Sequence, residues 1–103
     1  MSESMKIMVV EPRKQPYIKE ISREVKAIQA VVEGHFEVVP LTLGQHNLLI
    51  VDNEDGKYNG SEPNRTYYDD IIYGTFFVCA FGEYDFESLS DEQVQAALER
   101  YTL

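Results

Sequence analysis

The fold is decided by the stretch Tyr73-Gly74-Thr75-Phe76-Phe77-Val78-Cys79-Ala80-Phe81, in which nearly every residue is apolar. A strand with one face in solvent alternates apolar and polar residues, whereas a strand covered on both faces is apolar throughout. We therefore predict a central strand over residues 74–81, with other parts of the chain packed on both of its faces. Gly74 opens this strand, where a glycine is typical of a bulge or of close approach by another backbone segment.

Further strands and helices are predicted on either side of this central strand. Short apolar runs bounded by turn residues predict strands near 6–11, 17–21, 35–41 and 48–53. Apolar residues at helical spacing predict helices near 22–33 and 90–101, the first capped by Ser22 and ended by Gly34, the second opened by a capping box of Ser90 and Gln93.

The fold class follows from this order of elements and from the length. A chain of 103 residues fits one domain. We predict a single small α+β domain over residues 5–103, with two helices packed on a mainly antiparallel sheet of about five strands, behind a disordered tail of residues 1–4. The expected core comprises Val9, Val25, Ile28, Val32, Val38, Leu49, Val51, Phe76, Val78, Val94 and Leu98.

The charge balance restricts the classes of partner. Eighteen acidic residues outnumber nine basic ones, for a net charge of -9. Such a surface repels nucleic acid and anionic membranes, so neither is an expected direct partner. The single cysteine forbids an internal disulfide, and no apolar run approaches the length of a membrane span, so we expect a cytoplasmic protein.

The densest acidic segment is a run of ten residues without a basic side chain, containing Glu83, Asp85, Glu87, Asp91 and Glu92. One interpretation is a solvated face that keeps the protein in solution. The other is a surface that meets a basic partner, since charge complementarity speeds association and selects against other partners.

The stretch 54–65 contains turn residues and almost no aliphatic side chain, which predicts a surface loop. Its candidate binding residues, together with two nearby tyrosines, are Asn59, Gly60, Asn64, Arg65, Tyr67 and Tyr73. The guanidinium and the two carboxamides could hold a carboxylate or phosphate by planar, charge-assisted hydrogen bonds. Alternatively, Asn64 and Arg65 tie the loop to the sheet through local bonds.

Catalytic and metal-binding chemistry have little support. Cys79 lies among apolar neighbours, where a thiol is inert, and His35 and His46 lack further ligands at zinc-site spacing. A calcium-loop pattern over residues 51–62 begins with Val51 instead of an acidic residue. We therefore expect no enzymatic activity, no cofactor and no metal.

Nearly the whole chain resembles a known family. The segments Lys6–Pro12, Pro16–Ile21, Asn53–Lys57, Asn59–Gly60, Pro63–Arg65, Asp70–Phe77 and Leu89–Gln93 resemble the family called domain of unknown function 3846. The most specific of these are the loop from Asn59 to Arg65 and the strand from Ile72 to Phe77. The resemblance implies a small protein of gut bacteria, phages or mobile elements, and it implies no activity.

Two functions remain as expectations. The first is a non-enzymatic binding protein, in which the acidic surface inhibits host defence by occupying the basic nucleic-acid-binding surface of a host protein. The second is a protein that sequesters a nucleotide-like signal through the 59–65 loop, with a homo-oligomer interface completing the pocket.

Overall fold

Eight strands and two helices are found in the described part of the chain, residues 4–83 and 85–103 of a computed structural model. In chain order they are β1 (Ser4–Val10), β2 (Tyr17–Ser22), α1 (Val25–Val32), β3 (Phe36–Leu43), β4 (His46–Asn53), β5 (Pro63–Tyr67), β6 (Asp70–Tyr73), β7 (Phe76–Phe81), β8 (Phe86–Glu87) and α2 (Asp91–Tyr101). Neither helix is long and apolar enough to cross a membrane. Residues 1–3 of the predicted tail lie outside the described residues, and Ser4 already pairs with Ser22.

The main sheet is antiparallel throughout, as predicted. Its strands run in the order β2-β1-β7-β4-β3, and β8 pairs with the end of β7. The apolar strand β7 therefore lies in the centre, between β1 and β4. Together with the two helices, this sheet confirms the predicted α+β class.

Each face of the sheet has its own apolar cluster, because neighbouring side chains on a strand point to opposite faces. Met8 of β1 belongs to the cluster that α2 completes with Ala97 and Tyr101. Val9, one residue further, belongs to the cluster that α1 completes with Ile28. The central strand is thus covered on both sides, which explains why it contains no polar residue.

A second, two-stranded sheet of β5 and β6 was not predicted. The stretch 54–65 was expected to be a loop throughout, but β5 begins at Pro63. The Tyr67 hydroxyl donates to the Pro40 carbonyl at 2.6 Å, and the Thr42 amide donates to the Tyr68 hydroxyl at 3.3 Å. The hairpin therefore covers the outer edge of β3, and each of its strands buries one side chain, Arg65 in β5 and Ile72 in β6.

The two helices differ in how well their starts were predicted. Ser22 does not cap a helix: it ends β2 and its hydroxyl accepts the Glu24 amide, so α1 begins only at Val25. The left-handed residue that ends α1 is Glu33, with φ 62°, and not Gly34. The capping box of Ser90 and Gln93 is confirmed, because each side chain accepts the other's backbone amide.

The core prediction is wrong for two residues. Val25 is 57% exposed because it is the first residue of α1, before the helix reaches the sheet. Val38 is 40% exposed because it lies on the edge strand β3, beyond the cover that an eight-residue helix provides. The other nine are fully buried or half-buried against the two clusters: Val9, Ile28, Val32, Leu49, Val51, Phe76, Val78, Val94 and Leu98.

Candidate functional site

Asn64 and Arg65, two residues of the predicted loop site, form hydrogen bonds within the fold. Asn64 donates to the carbonyls of Val10 and Gly74, at 2.9 and 2.8 Å. It therefore fixes the start of β5 to the end of β1 and to the turn before β7.

Arg65 is only 9% exposed and makes four hydrogen bonds. Its guanidinium donates to the carbonyls of Tyr101, Glu11 and Lys14 and to Asn64 Oδ1. Burial lowers the pKa of this guanidinium. These bonds join β5 to the end of α2 and to the turn after β1, in agreement with the structural interpretation of Arg65.

The other predicted loop residues lie in separate places. Asn59 and Gly60 are exposed and line a cavity of about 260 Å³ with Gly74 and Thr75. Tyr73 lines a different cavity, beneath β6. Tyr67 is engaged with β3, as described above. The six residues therefore do not converge on one pocket.

The five acidic residues lie at one end of the sheet, and we call them the acidic corner. Glu83 and Asp85 lie in the connection from β7 to β8, Glu87 is in β8, and Asp91 and Glu92 form the first turn of α2. All five are exposed. This part of the chain is held to β1 by Lys6, whose amide donates to the Ser88 hydroxyl at 2.9 Å and whose carbonyl accepts the Leu89 amide at 3.0 Å.

Basic side chains neutralise the acidic corner only in part. Arg23 lies 3.6 Å from Glu87, and Lys6 lies 3.9 Å from Asp91. Both acidic partners are well exposed, so these ion pairs are weak. Within the described residues, the corner therefore presents net negative charge to solvent.

An aromatic side chain accompanies this charge. Phe81 is 64% exposed and pairs across the strands with Phe86, which is half-buried. Phe81 ends the central strand, directly before the acidic connection. A large exposed ring directly before an acidic connection is a feature that the sequence analysis did not identify.

A second feature that sequence reasoning missed is a pair of carboxyl groups at the other end of the sheet. Glu37 of β3 stands opposite Asp52 of β4. Both line a cavity of about 230 Å³ beneath β6, with Tyr58 and Tyr73 among its walls, and we call it the carboxyl cavity. The register was the available signal: a two-residue turn at Gly44 and Gln45 brings Glu37 level with Asp52.

Asp52 has an unusual environment. It is 8% exposed, and in the described part of the chain no hydrogen-bond donor reaches its Oδ1. Burial, followed by the negative charge of Glu37, raises the pKa of Asp52 to about 7. When both carboxyls are ionised neither can donate, whereas one added proton lets them share a hydrogen bond.

The described residues offer little support for nucleophilic catalysis or metal binding. Cys79 is buried, which raises its pKa to about 12 and keeps the thiol protonated. Residues 4–83 and 85–103 contain no group of three or more His, Cys, Asp or Glu side chains placed to hold a metal ion.

The family follows from a comparison with family models. The model described as domain of unknown function (DUF3846) matches residues 5–102. The chain belongs to the DUF3846 family. Searches of curated proteins and of solved structures found no match.

Proposed function

We propose that this DUF3846 protein is a small, non-enzymatic binding protein that uses the acidic corner to occupy a basic surface of a host protein. The observation that carries the proposal is the position of Phe81, 64% exposed, at the end of the strand that leads directly into the acidic connection with Glu83 and Asp85. Tight interfaces place an aromatic anchor at their centre and charged groups at their rim. Here Phe81 provides the anchor and the corner provides the rim.

The charge indicates the class of partner. A protein of net charge -9 is attracted to surfaces that bind phosphates, because carboxylates can take the places of phosphates there. We propose a nucleic-acid-binding defence protein of the host as the partner, and a phage or mobile element as the origin of this inhibitor. The complex would form in the cytoplasm of the bacterial cell.

The alternative, capture of a nucleotide-like signal by residues 59–65, is less well supported. The Arg65 guanidinium donates four hydrogen bonds to groups of the protein itself, and Asn64 donates to two backbone carbonyls. A phosphate would have to displace these bonds. We therefore favour the corner.

The experiment begins with identification of the partner by affinity capture from the natural host and mass spectrometry. The purified partner is then used to compare two variants with equal charge changes. One replaces the corner acids by Gln or Asn: Glu83, Asp85, Glu87, Asp91 and Glu92. The control does the same to exposed acids away from the corner: Glu33, Asp55, Glu62, Asp69 and Glu99.

The corner variant should associate about tenfold or more slowly and should lose most of its dependence on ionic strength, because rim charges act through steering. The control should stay closer to the wild-type rate. Nucleic acid should compete with the wild-type protein for the partner. Equal rates for the two variants would contradict the proposal and return the acidic run to a role in solubility.

A further inference from the structure

The carboxyl cavity contains a buried acceptor without a donor. Asp52 is 8% exposed, and no donor in the described residues reaches its Oδ1. A buried polar atom without a hydrogen bond is costly, and such atoms are few in folded proteins. When Asp52 and Glu37 are both ionised, the described residues therefore leave Oδ1 of Asp52 without a donor.

The nearest basic side chain does not provide this donor. Lys57 lines the cavity, but its ammonium lies 2.8 and 2.7 Å from the two carboxylate oxygens of Asp70. Its charge is thus matched by Asp70. Glu37, Asp52 and Glu54 add further acidic groups to the lining, so a cation would be attracted there.

The cavity's shape and walls indicate the class of cation. A volume of about 230 Å³ corresponds to roughly eight waters at about 30 Å³ each, enough for a small organic head group and too little for a nucleotide. Glu37 and Asp52 are neighbours across two strands, which suits a planar donor with several N–H groups. Tyr58 and Tyr73 offer aromatic surface on which a weakly hydrated guanidinium can stack.

We propose that the carboxyl cavity binds a guanidinium group, with Glu37 and Asp52 accepting its N–H donors and the tyrosines contacting its plane. The group comes either from a small free guanidine compound or from an arginine side chain of a partner. This site lies at the end of β4, whereas the acidic corner lies near the start of β4, where that strand pairs with the end of β7. The proposal does not depend on the corner.

Binding at this site should depend on pH. A proton on Asp52 competes with the cation, so affinity should rise as the pH increases through about 7. The charged and titratable groups that face Asp52 come from each neighbouring element: Glu37 on β3, Glu54, Lys57 and Tyr58 after β4, Tyr67 on β5, and Tyr73 on β6. From pH 8 to pH 6 the ionised fraction of a group with pKa about 7 falls roughly tenfold, and the affinity should fall with it.

The test is a titration of the whole ¹⁵N-labelled chain with ethylguanidinium chloride at pH 8 and pH 6, followed by amide chemical shifts. We expect saturable shifts near residues 37, 52 and 73, with roughly tenfold weaker affinity at pH 6. Asp52→Asn and Glu37→Gln should each weaken binding at pH 8 at least tenfold while the rest of the spectrum stays native. The corner variant should bind as wild type does, which separates this proposal from the proposed function.

Two further ligands identify the source and the class. Binding of N-acetyl-arginine-methylamide as well as ethylguanidinium supports a partner's arginine, whereas binding of ethylguanidinium alone supports a small free ligand. Equal affinity for n-butylamine would overturn the assignment to guanidinium. The site itself is overturned if ethylguanidinium causes no saturable shifts at pH 8, or if both folded variants bind as tightly as the wild type.

Discussion

Charged residues occupy two contrasting regions, the surroundings of the β5–β6 hairpin and the acidic corner. Around the hairpin, Arg65 and Asp52 are more than nine-tenths buried. At the corner, all five carboxylates are exposed, and the ion pairs there are long. The same types of side chain therefore meet very different surroundings within one small domain.

The difference determines what each charge can do. A buried charge is stable only with specific partners, so its removal or titration changes the free energy of unfolding. An exposed charge contributes little to stability and is available to a partner. We therefore expect substitutions around the hairpin to alter folding and substitutions at the corner to alter association.

The largest expected effect is that of Arg65→Ala. It removes four hydrogen bonds and leaves the carbonyls of Tyr101, Glu11 and Lys14 without this donor. We expect a loss of about 3 kcal/mol in the free energy of unfolding, measured by urea denaturation. Arg13→Ala is the matched control, since its side chain is 81% exposed, and it should cost less than about 1 kcal/mol. If the Arg65→Ala protein were as stable as the wild type, substitutions around the hairpin and at the corner would no longer differ in their effect on folding.

The next effect is a change in the pH dependence of stability. In the folded protein the pKa of Asp52 is raised from 3.8 to about 7, so the folded state binds a proton more tightly than the unfolded state does. The resulting stabilisation is complete below about pH 4 and is lost as the pH rises towards 7. Asp52→Asn is neutral at every pH and avoids that loss.

We therefore expect Asp52→Asn to be close to wild type at pH 4 and more stable by a few kcal/mol at pH 8. Urea denaturation across this pH range measures the difference. Asp69→Asn changes an exposed carboxyl in the β5–β6 turn and is the control, expected to have an effect of less than about 0.5 kcal/mol. If the difference in free energy of unfolding between Asp52→Asn and the wild type did not change with pH, the raised pKa of Asp52 would be contradicted.

The smallest effect on folding is expected at the acidic corner. Replacing its five acids by Gln or Asn should change the free energy of unfolding by less than about 1 kcal/mol, with part of any loss arising at the start of α2, where Asp91 and Glu92 favour the helix dipole. Thermal or urea denaturation at low and high salt measures this. A loss of several kcal/mol would mean that the corner is structural.

The central strand and α2 could be predicted because their signals are local. The apolar run predicted 74–81 and β7 spans Phe76–Phe81, while the capping box placed the start of α2 at the observed residue. The β5–β6 hairpin could not be predicted in this way. β5 has no aliphatic side chain, β6 is only four residues long, and Arg65 finds its acceptors 36, 51 and 54 residues away in the chain.

The carboxyl cavity lies between these cases. Its pairing was implicit in the two predicted strands and in Gly44, whose φ of 60° allows the tight turn that sets the register. The burial of the cavity could not be predicted, because it depends on β6, which was not predicted. The exposure of Phe81 was likewise hidden, since an apolar residue at the end of an apolar strand reads as core.

The most direct measurement of this division of charge is a pH titration of the side-chain carboxyl carbons by ¹³C NMR, with Asp52 assigned by comparison with Asp52→Asn. The division predicts that the Asp52 carboxyl titrates with a midpoint of about 7. A midpoint for Asp52 near 4, the usual range for an exposed aspartate, would contradict the burial of the Asp52 carboxyl and the contrast with the acidic corner.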